Sequence, residues 1–332
     1  MLNVPALMAE NLVSPPVLFF LLGTTAALLK SDLSFPRELS SALALYLMMA
    51  IGFRGGAELA HAGLSEQVVQ TALAALVLGF LLPGIAFLIL TRLGRLDPVN
   101  AGAIAAHYGS ISAVTFITTT NFLTFLGVGY ESYMVAMMAL MEAPGIVSGI
   151  LLARAFSTQP DRAVTNRTVF LRSLVREALF GGSVIVLLGS FAIGILTGKE
   201  GTELLKPFVH DLFPGALALF LLDMGLTAAR RLGDFIRLGR FLLGFGVVMP
   251  LIGGSLGVLG GRLVGLSPGG ATLLAVLAAS ASYIAAPAAV RLALPGANPS
   301  LSITLALGVT FPFNVLVGIP VYYTLARLLL PS

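Results

Sequence analysis

Two short polar stretches, residues 105–116 and 278–287, interrupt otherwise apolar parts of the chain. Inside a membrane, peptide groups freed by a break in a helix have no water to bind, so polar groups or a ligand must satisfy them. The N-terminal N–H groups of a half-helix suit a small anion, and freed carbonyls suit a cation such as Na⁺. The candidate anion-binding residues are Gly109, Ser110, Ser112 and Ala113 in the first stretch and Ser280, Ser282 and Tyr283 in the second. Close packing of helices through small residues is the alternative explanation for any single serine.

An acid and two neutral polar residues are candidates for a cation site. Glu142 lies two residues before Pro144 in an apolar segment, where an ionisable side chain is expensive and points to a function. It can ligate a cation, carry a proton, or bind N–H groups freed at the proline. Asn314 lies in the equivalent region of the second half, so the candidate sodium ligands are Thr115, Glu142 and Asn314. For His107, beside the first break, a hydrogen-bonded packing role is favoured over a pH-sensing one.

The composition restricts the chain to one broad class of protein. It is 57% hydrophobic and 10% charged, with a mean hydropathy of +0.98. These values are too apolar for a soluble globular protein and predict an integral membrane protein that is not an enzyme. The chain contains no cysteine, which excludes disulfides and a thiolate metal site. The isoelectric point of 9.6 reflects Arg and Lys residues between apolar segments, so no nucleic-acid partner is expected.

Apolar segments separated by short polar ones predict an all-α fold with ten membrane-spanning helices. The fourth and ninth spans contain the two polar stretches, so both are predicted to be discontinuous helices. The predicted spans are residues 13–29, 39–56, 67–93, 99–126, 130–155, 173–197, 212–230, 235–264, 269–294 and 303–330.

The distribution of Lys and Arg predicts the orientation of these spans. The loops on one side carry 14 of these residues, and the loops on the other side carry 5. By the positive-inside rule, the odd-numbered loops face the cytoplasm. Both termini are then extracytoplasmic in a bacterial inner membrane, and residues 156–172 form the main cytoplasmic connection.

The two halves of the chain repeat one another weakly. Two alanines followed by Ser-x-Ser occur in both polar stretches, and Ile51-Gly52 in span two has a counterpart in Met224-Gly225 in span seven. Residues 1–155 and 173–332 are therefore predicted to form two five-helix repeats. Because five is an odd number of crossings, the second repeat enters the membrane from the opposite side. The repeats are then inverted, and the two discontinuous helices cross one another.

Several motifs resemble one known family when they are taken in order. They are Ile51-Gly52-Phe53-Arg54-Gly55-Gly56, Gly109-x-x-Ser112-x-x-Thr115, Glu142-Ala143-Pro144, Met224-Gly225, and the long run Ala278-Ala279-Ser280-x-Ser282-x-Ile284-x-x-Pro287-x-x-x-Arg291-x-x-x-Pro295-x-Ala297-Asn298-Pro299-Ser300. In this order they resemble the sodium-dependent bicarbonate transporter family of the cyanobacterial type, over nearly the whole chain.

The resemblance implies both an architecture and an activity. Spans one, two, six and seven would form a gate or scaffold domain, and spans three to five with eight to ten would form a core domain that carries the crossed helices. A homotrimer would import bicarbonate together with Na⁺ by an elevator-like movement. The coupling ion would be the only cofactor, and membrane lipid would surround the protein.

The chain departs from the family pattern at the site itself. Tyr283 stands where the family has an acid, Ala285 and Ala286 replace small polar or flexible residues, and Glu142 replaces an aspartate. Ala113-Val114 stands where Gly-Ser is expected. The site is therefore less polar and bulkier than in the family. The family's long cytoplasmic loop is reduced here to residues 154–176, which argues against its PII-like regulatory partner.

Three functional classes remain open from the sequence. The first is Na⁺-coupled import of bicarbonate or a related small anion, with a Na⁺-coupled monocarboxylate carrier as a variant of it. The second is a cation/proton antiporter, for which Glu142 and Asp223 are the available buried acids, neither of them on a broken helix. The third is a membrane receptor that transports nothing, which leaves the two matching breaks unexplained.

Overall fold

The computed structural model describes residues 11–62, 65–157, 182–230, 235–283 and 285–330, and in these ranges the regular elements are helices without any strand. The predicted cytoplasmic connection, residues 156–172, lies outside these ranges apart from its first two residues. The helices are α1 (Pro15–Leu28), α2 (Arg37–Ala62), α3 (Glu66–Arg92), α4 (Pro98–Gly109), α5 (Ala113–Phe125), α6 (Met134–Phe156), α7 (Gly182–Lys206), α8 (Phe213–Arg230), α9 (Phe235–Leu263), α10 (Pro268–Ala279), α11 (Ala285–Ala293) and α12 (Pro299–Leu329).

Six helical stretches in the described ranges are long and apolar enough to cross a membrane. They make the protein a multi-pass membrane protein, as its composition predicts. The stretch Ile185–Arg230 has 46 residues, which is more than the roughly 20 residues that one crossing needs. It changes direction at Gly198, whose φ of 53° lies in the left-handed region. The helices α1 and α10 are apolar but shorter, so the count of ten spans stays a prediction.

The helices pack in two sets. In one set α2 packs along α7 and α1 packs along α8; in the other, α4 packs against α3 and α6, and α9 packs against α10. The helix α12 adds to the second set by packing against α10. The contacts between the sets, such as those of α2 with α6, are fewer.

Helix α12 is not a regular α-helix. Two π-helical turns, Ala306–Thr310 and Asn314–Gly318, flank Pro312. Such wide turns are rare and occur frequently at functional sites. Here the second turn lies beside the C-terminal end of α10, where Asn314 contacts Ala279.

Glycines allow α4 and α6 to approach at backbone distance. A Cβ atom added to Gly145 would lie 2.0 Å from the carbonyl oxygen of Gly109, and one added to Gly149 would lie 2.3 Å from the amide nitrogen of Ala106. Without side chains at these positions, the two backbones touch directly and the end of α4 is fixed.

We expect Gly145→Ala to destabilise the protein by about 1 to 3 kcal/mol, because neither backbone can yield without moving the break. The measurement is thermal unfolding in detergent. Gly84→Ala is the matched control, because it adds the same methyl group within helix α3 with no atom of a neighbouring element within 4 Å. Equal melting temperatures for the two variants would contradict this account of the packing.

Candidate functional site

Two interrupted helices build the centre of the site. Both α4 and α10 have 12 residues, begin with proline and have a polar N-cap, Asp97 or Ser267. They end at Ser110 and Ser280, whose φ and ψ angles are −92° and 164° and −87° and 164°. After these breaks, α5 begins at Ala113 and α11 begins at Ala285. Ser110 therefore corresponds to Ser280, and Ser112 to Ser282.

Loops from the opposite half of the chain hold the outer ends of both helices. Glu131 accepts hydrogen bonds from the backbone nitrogen of Ser267 at 2.7 Å and from its hydroxyl at 3.0 Å. At the start of α4, the side-chain oxygen of Asn100 accepts a bond from the backbone nitrogen of Asn298 at 2.7 Å. Each half of the chain thus fixes the discontinuous helix of the other.

Hydrogen bonds join the two breaks where they meet. The backbone nitrogen of Ser282 donates to the carbonyl of His107 at 2.8 Å, and the backbone nitrogen of Ser112 donates to Ser280 Oγ at 2.9 Å. Ser280 Oγ donates in turn to the carbonyl of Leu277 at 3.0 Å. Peptide groups released at one break are therefore satisfied by the other, as a low-dielectric interior requires.

His107 completes this junction. Its Nδ1 lies 2.6 Å from the carbonyl oxygen of Ser282. Because a carbonyl can only accept, Nδ1 must carry the hydrogen. The imidazole is fully buried, so its hydrogen bond agrees with the packing role that the sequence favours.

A small pocket lies beside the junction. Its space is about 20 Å³, close to that of one or two water molecules, so a polyatomic anion requires it to widen. The pocket is lined by Met48, Ile111, Ser112, Ala113, Met138, Glu142, Leu187, Ser282 and Tyr283. Five of the sequence-predicted site residues are thereby brought together, namely Ser112, Ala113, Glu142, Ser282 and Tyr283.

Among the residues that the structure describes, the hydroxyl protons of the two lining serines have no acceptor. Ser112 Oγ accepts from the backbone nitrogen of Thr115 at 3.3 Å and from its hydroxyl at 3.0 Å. Ser282 Oγ accepts from the backbone nitrogen of Ala286 at 3.2 Å. Their lone pairs thus bind the first turns of α5 and α11, while their O–H groups remain available to an acceptor in the pocket. Both serines are donors placed at helix N-termini.

The charge of the pocket comes from Glu142. Its side chain on α6 is 7% exposed, and the described residues that line the pocket include no Lys, Arg or His. Most of the other lining atoms are apolar. A carboxylate in such surroundings demands a positive partner or a proton.

Tyr283 faces the pocket. Its ring packs edge-on against Phe311, with centroids 5.6 Å apart. Its hydroxyl lies close to Ser112 but makes no hydrogen bond of good geometry with a described residue. The residue that replaces an acid of the family pattern therefore contributes an apolar wall and one hydroxyl.

The other predicted site residues lie outside the lining of the pocket. Gly109 packs against Pro83 and Gly145, and Ser280 bridges the two breaks. Ser110 is buried, and its hydroxyl has no hydrogen-bond partner among the described residues. Thr115 donates to Ser112 and orients it.

Asn314 forms a hydrogen bond with the backbone at the end of α10. Its amide nitrogen donates to the carbonyl of Ala279 at 2.9 Å, and its oxygen accepts from the Tyr322 hydroxyl at 3.0 Å. The side chain thus satisfies a carbonyl released at the second break and ties α12 to α10.

Four lining residues are not among the sequence-predicted site residues. They are Met48, Ile111, Met138 and Leu187. Apolar side chains on apolar helices carry no signal that distinguishes a pocket wall from a lipid-facing or core position. Ile111 alone was marked, by its place between two serines of the first break.

Three larger cavities lie at the two ends of α2. An apolar cavity of about 440 Å³ includes Ser40 and Ser41 and shares Met48 and Tyr283 with the pocket. At the other end, two cavities are lined by Arg54, Glu58 and His210 among other residues. From Ser40 to Glu58 the helix rises roughly 27 Å, which approaches the thickness of a bilayer core.

These features define a multi-pass membrane protein with a small pocket, lined by serines and one buried acid among apolar side chains, at the junction of two broken helices. The sequence model of the Na⁺-dependent bicarbonate transporter superfamily matches residues 15–327. The chain therefore belongs to this superfamily, and the resemblance seen in its motifs is confirmed. A comparison with curated proteins finds no match. The superfamily is one of transporters and not of enzymes, and its name describes Na⁺-dependent transport.

The structure predicts a mainly structural role for Asn314. We expect Asn314→Leu to lower stability by about 1 to 3 kcal/mol, because the carbonyl of Ala279 loses its donor in a buried place. Thermal unfolding and the Na⁺ dependence of uptake should be measured together. An unchanged melting temperature with a raised Na⁺ requirement would instead make Asn314 a sodium ligand.

Proposed function

We propose that this protein is a secondary transporter that imports bicarbonate or a related small anion together with Na⁺. One observation carries the proposal: Ser112 and Ser282 present unused hydroxyl protons to a shared pocket, at the N-termini of α5 and α11. Neutral donors and helix N-termini hold an anion without a fixed cationic side chain. Such a site can release its anion when the surroundings change.

Glu142 is the proposed ligand of the coupling cation. Carboxylate oxygen is a hard ligand of the kind that Na⁺ takes, and Glu142 lies in the same pocket as both serines. Among the other sodium candidates, Thr115 orients Ser112 and Asn314 holds the end of α10. We therefore assign the direct contact to Glu142 and supporting roles to Thr115 and Asn314.

The packing of the helices supports a division into a scaffold and a moving core. The set α1, α2, α7 and α8 would stay fixed, while the set that carries both breaks would move against it in an elevator-like manner. The pocket lies between Met48 of α2 and Ser112 and Ser282 of the breaks, so such a movement would change its access. Inverted repeats, a homotrimer and extracytoplasmic termini in a bacterial inner membrane belong to the same proposal.

A specific observation also favours a monocarboxylate as the transported anion. The pocket walls are largely apolar, and Tyr283 and Met48 also line the larger apolar cavity next to it. Bicarbonate has no apolar part, whereas a short-chain carboxylate does. Competition of formate, acetate and propionate against labelled bicarbonate would decide between them.

The first test concerns the two serine donors. We expect Ser112→Ala and Ser282→Ala each to weaken anion affinity by about 1 to 3 kcal/mol, because a desolvated anion loses a donor. That is roughly a 5- to 150-fold rise in the half-saturating anion concentration. The measurement is Na⁺-driven uptake into proteoliposomes.

Ser255→Ala is the matched control for these variants. Ser255 donates to the carbonyl of Leu251 within its own helix at 2.8 Å and does not line the pocket. Affinities equal to that of the control in both serine variants would remove the basis of the proposed anion site.

The second test concerns the cavities at the two ends of α2, which the transported anion would pass through. The chain contains no cysteine, so single cysteines can be introduced without background. We expect a membrane-impermeant maleimide to label Ser41→Cys from the cytoplasmic side and Lys199→Cys from the opposite side, because the two exposed residues adjoin cavities at opposite ends of α2. Labelling of both variants from one side would contradict the proposed path and its orientation.

A further inference from the structure

The electrostatic balance of the pocket restricts the order in which ligands can bind. Each helix N-terminus supplies about half a positive elementary charge, so the ends of α5 and α11 together offset roughly one negative charge. Ionised Glu142 already supplies that charge. The described lining has no cationic side chain. The carboxylate therefore offsets the positive potential of both helix N-termini, and little attraction remains for an anion that enters the pocket.

Arg54 is not placed to correct this imbalance. It lies about two turns of α2 beyond Met48, which is roughly 9 Å along the helix axis. Its guanidinium carbon lies 4.2 Å from the centre of the Phe213 ring, and Arg54 lines the cavities beyond the pocket. Its charge is oriented toward that end of the molecule.

We propose that Glu142 makes anion binding conditional on a cation already bound beside it, so that Na⁺ binds first and the anion second. This inference rests on the proposed function and assigns Glu142 a role in coupling that goes beyond cation affinity. One bound Na⁺ neutralises the charge of the carboxylate. The N-termini of α5 and α11 can then attract the anion. Without Na⁺, an ionised Glu142 repels the anion in a poorly solvated pocket, so the dependence on Na⁺ is expected at a pH that keeps the carboxylate ionised.

The same balance restricts the class of substrate. With one Na⁺ bound, the helix ends and the two serine donors match one negative charge. A divalent anion such as carbonate or sulfate would leave one charge uncompensated. The pocket therefore selects monovalent oxyanions, with bicarbonate and short-chain carboxylates as the probes to use.

The decisive experiment is calorimetric binding of bicarbonate and of acetate to the purified protein, in Na⁺ and in N-methylglucamine. We expect the unmodified protein to lose on the order of 100-fold in anion affinity when Na⁺ is replaced, from the repulsion of two charges a few ångströms apart. In Glu142→Gln the affinity should be the same in both media, because the repelling charge is gone. Glu142→Asp should keep the dependence on Na⁺.

Asp223→Asn is the matched control. Asp223 is also a buried acid, but it accepts a bond from Ser40 at 2.6 Å and does not line the pocket. We expect this variant to keep the full Na⁺ dependence of anion binding. If Glu142→Gln keeps it as well, the inference is overturned while the proposed transport stands.

A measurement on the unmodified protein tests the inference without any variant. By thermodynamic reciprocity, the anion must raise Na⁺ affinity by the same factor by which Na⁺ raises anion affinity. A Na⁺ affinity independent of bicarbonate and acetate would overturn the inference. If the unmodified protein neither binds nor imports any of these anions in Na⁺, the proposed function fails, and the inference fails with it.

Discussion

The need to satisfy peptide groups where two helices break inside an apolar interior governs the centre of this protein. Ser282 and His107 form two hydrogen bonds with each other across the junction, and Ser280 Oγ accepts a hydrogen bond from the backbone nitrogen of Ser112. These bonds let both helices end in a place where water cannot complete them. Asn314 does the same for the carbonyl of Ala279. The site is therefore a consequence of how the breaks are stabilised.

The serines around the pocket do two things at once. Their lone pairs cap the helices that follow the breaks, and no described residue accepts their protons, which can therefore bind a ligand. A neutral donor held in this way costs less to bury than a lysine or arginine, which would demand a permanent counter-charge. Glu142 is the exception to this neutrality, which is why the coupling of anion to cation is assigned to it.

Helix α2 provides the surface against which the junction is set. Its residues line the apolar cavity at one end, the pocket through Met48, and the charged cavities beyond Ile51. The helix packs along α7, and α8 packs along α1, while the breaks belong to the other set. A pocket between two sets with few mutual contacts can change its access when one set moves, without repacking either core.

Composition and motif order along the chain predict the membrane class, the family, the positions of both breaks and the polar residues beside them. These features are local, because hydrophobicity, Gly and Ser content and motif order are read along the chain. Tertiary structure decided which of those residues share a pocket. It placed Ser112, Glu142, Ser282 and Tyr283 together, with Met48 and Leu187 as apolar lining residues. It also showed that Asn314 donates a hydrogen bond to a backbone carbonyl at the second break. The physical reason is that the partner of a side chain depends on how helices far apart in sequence cross, and residue type alone does not record that crossing.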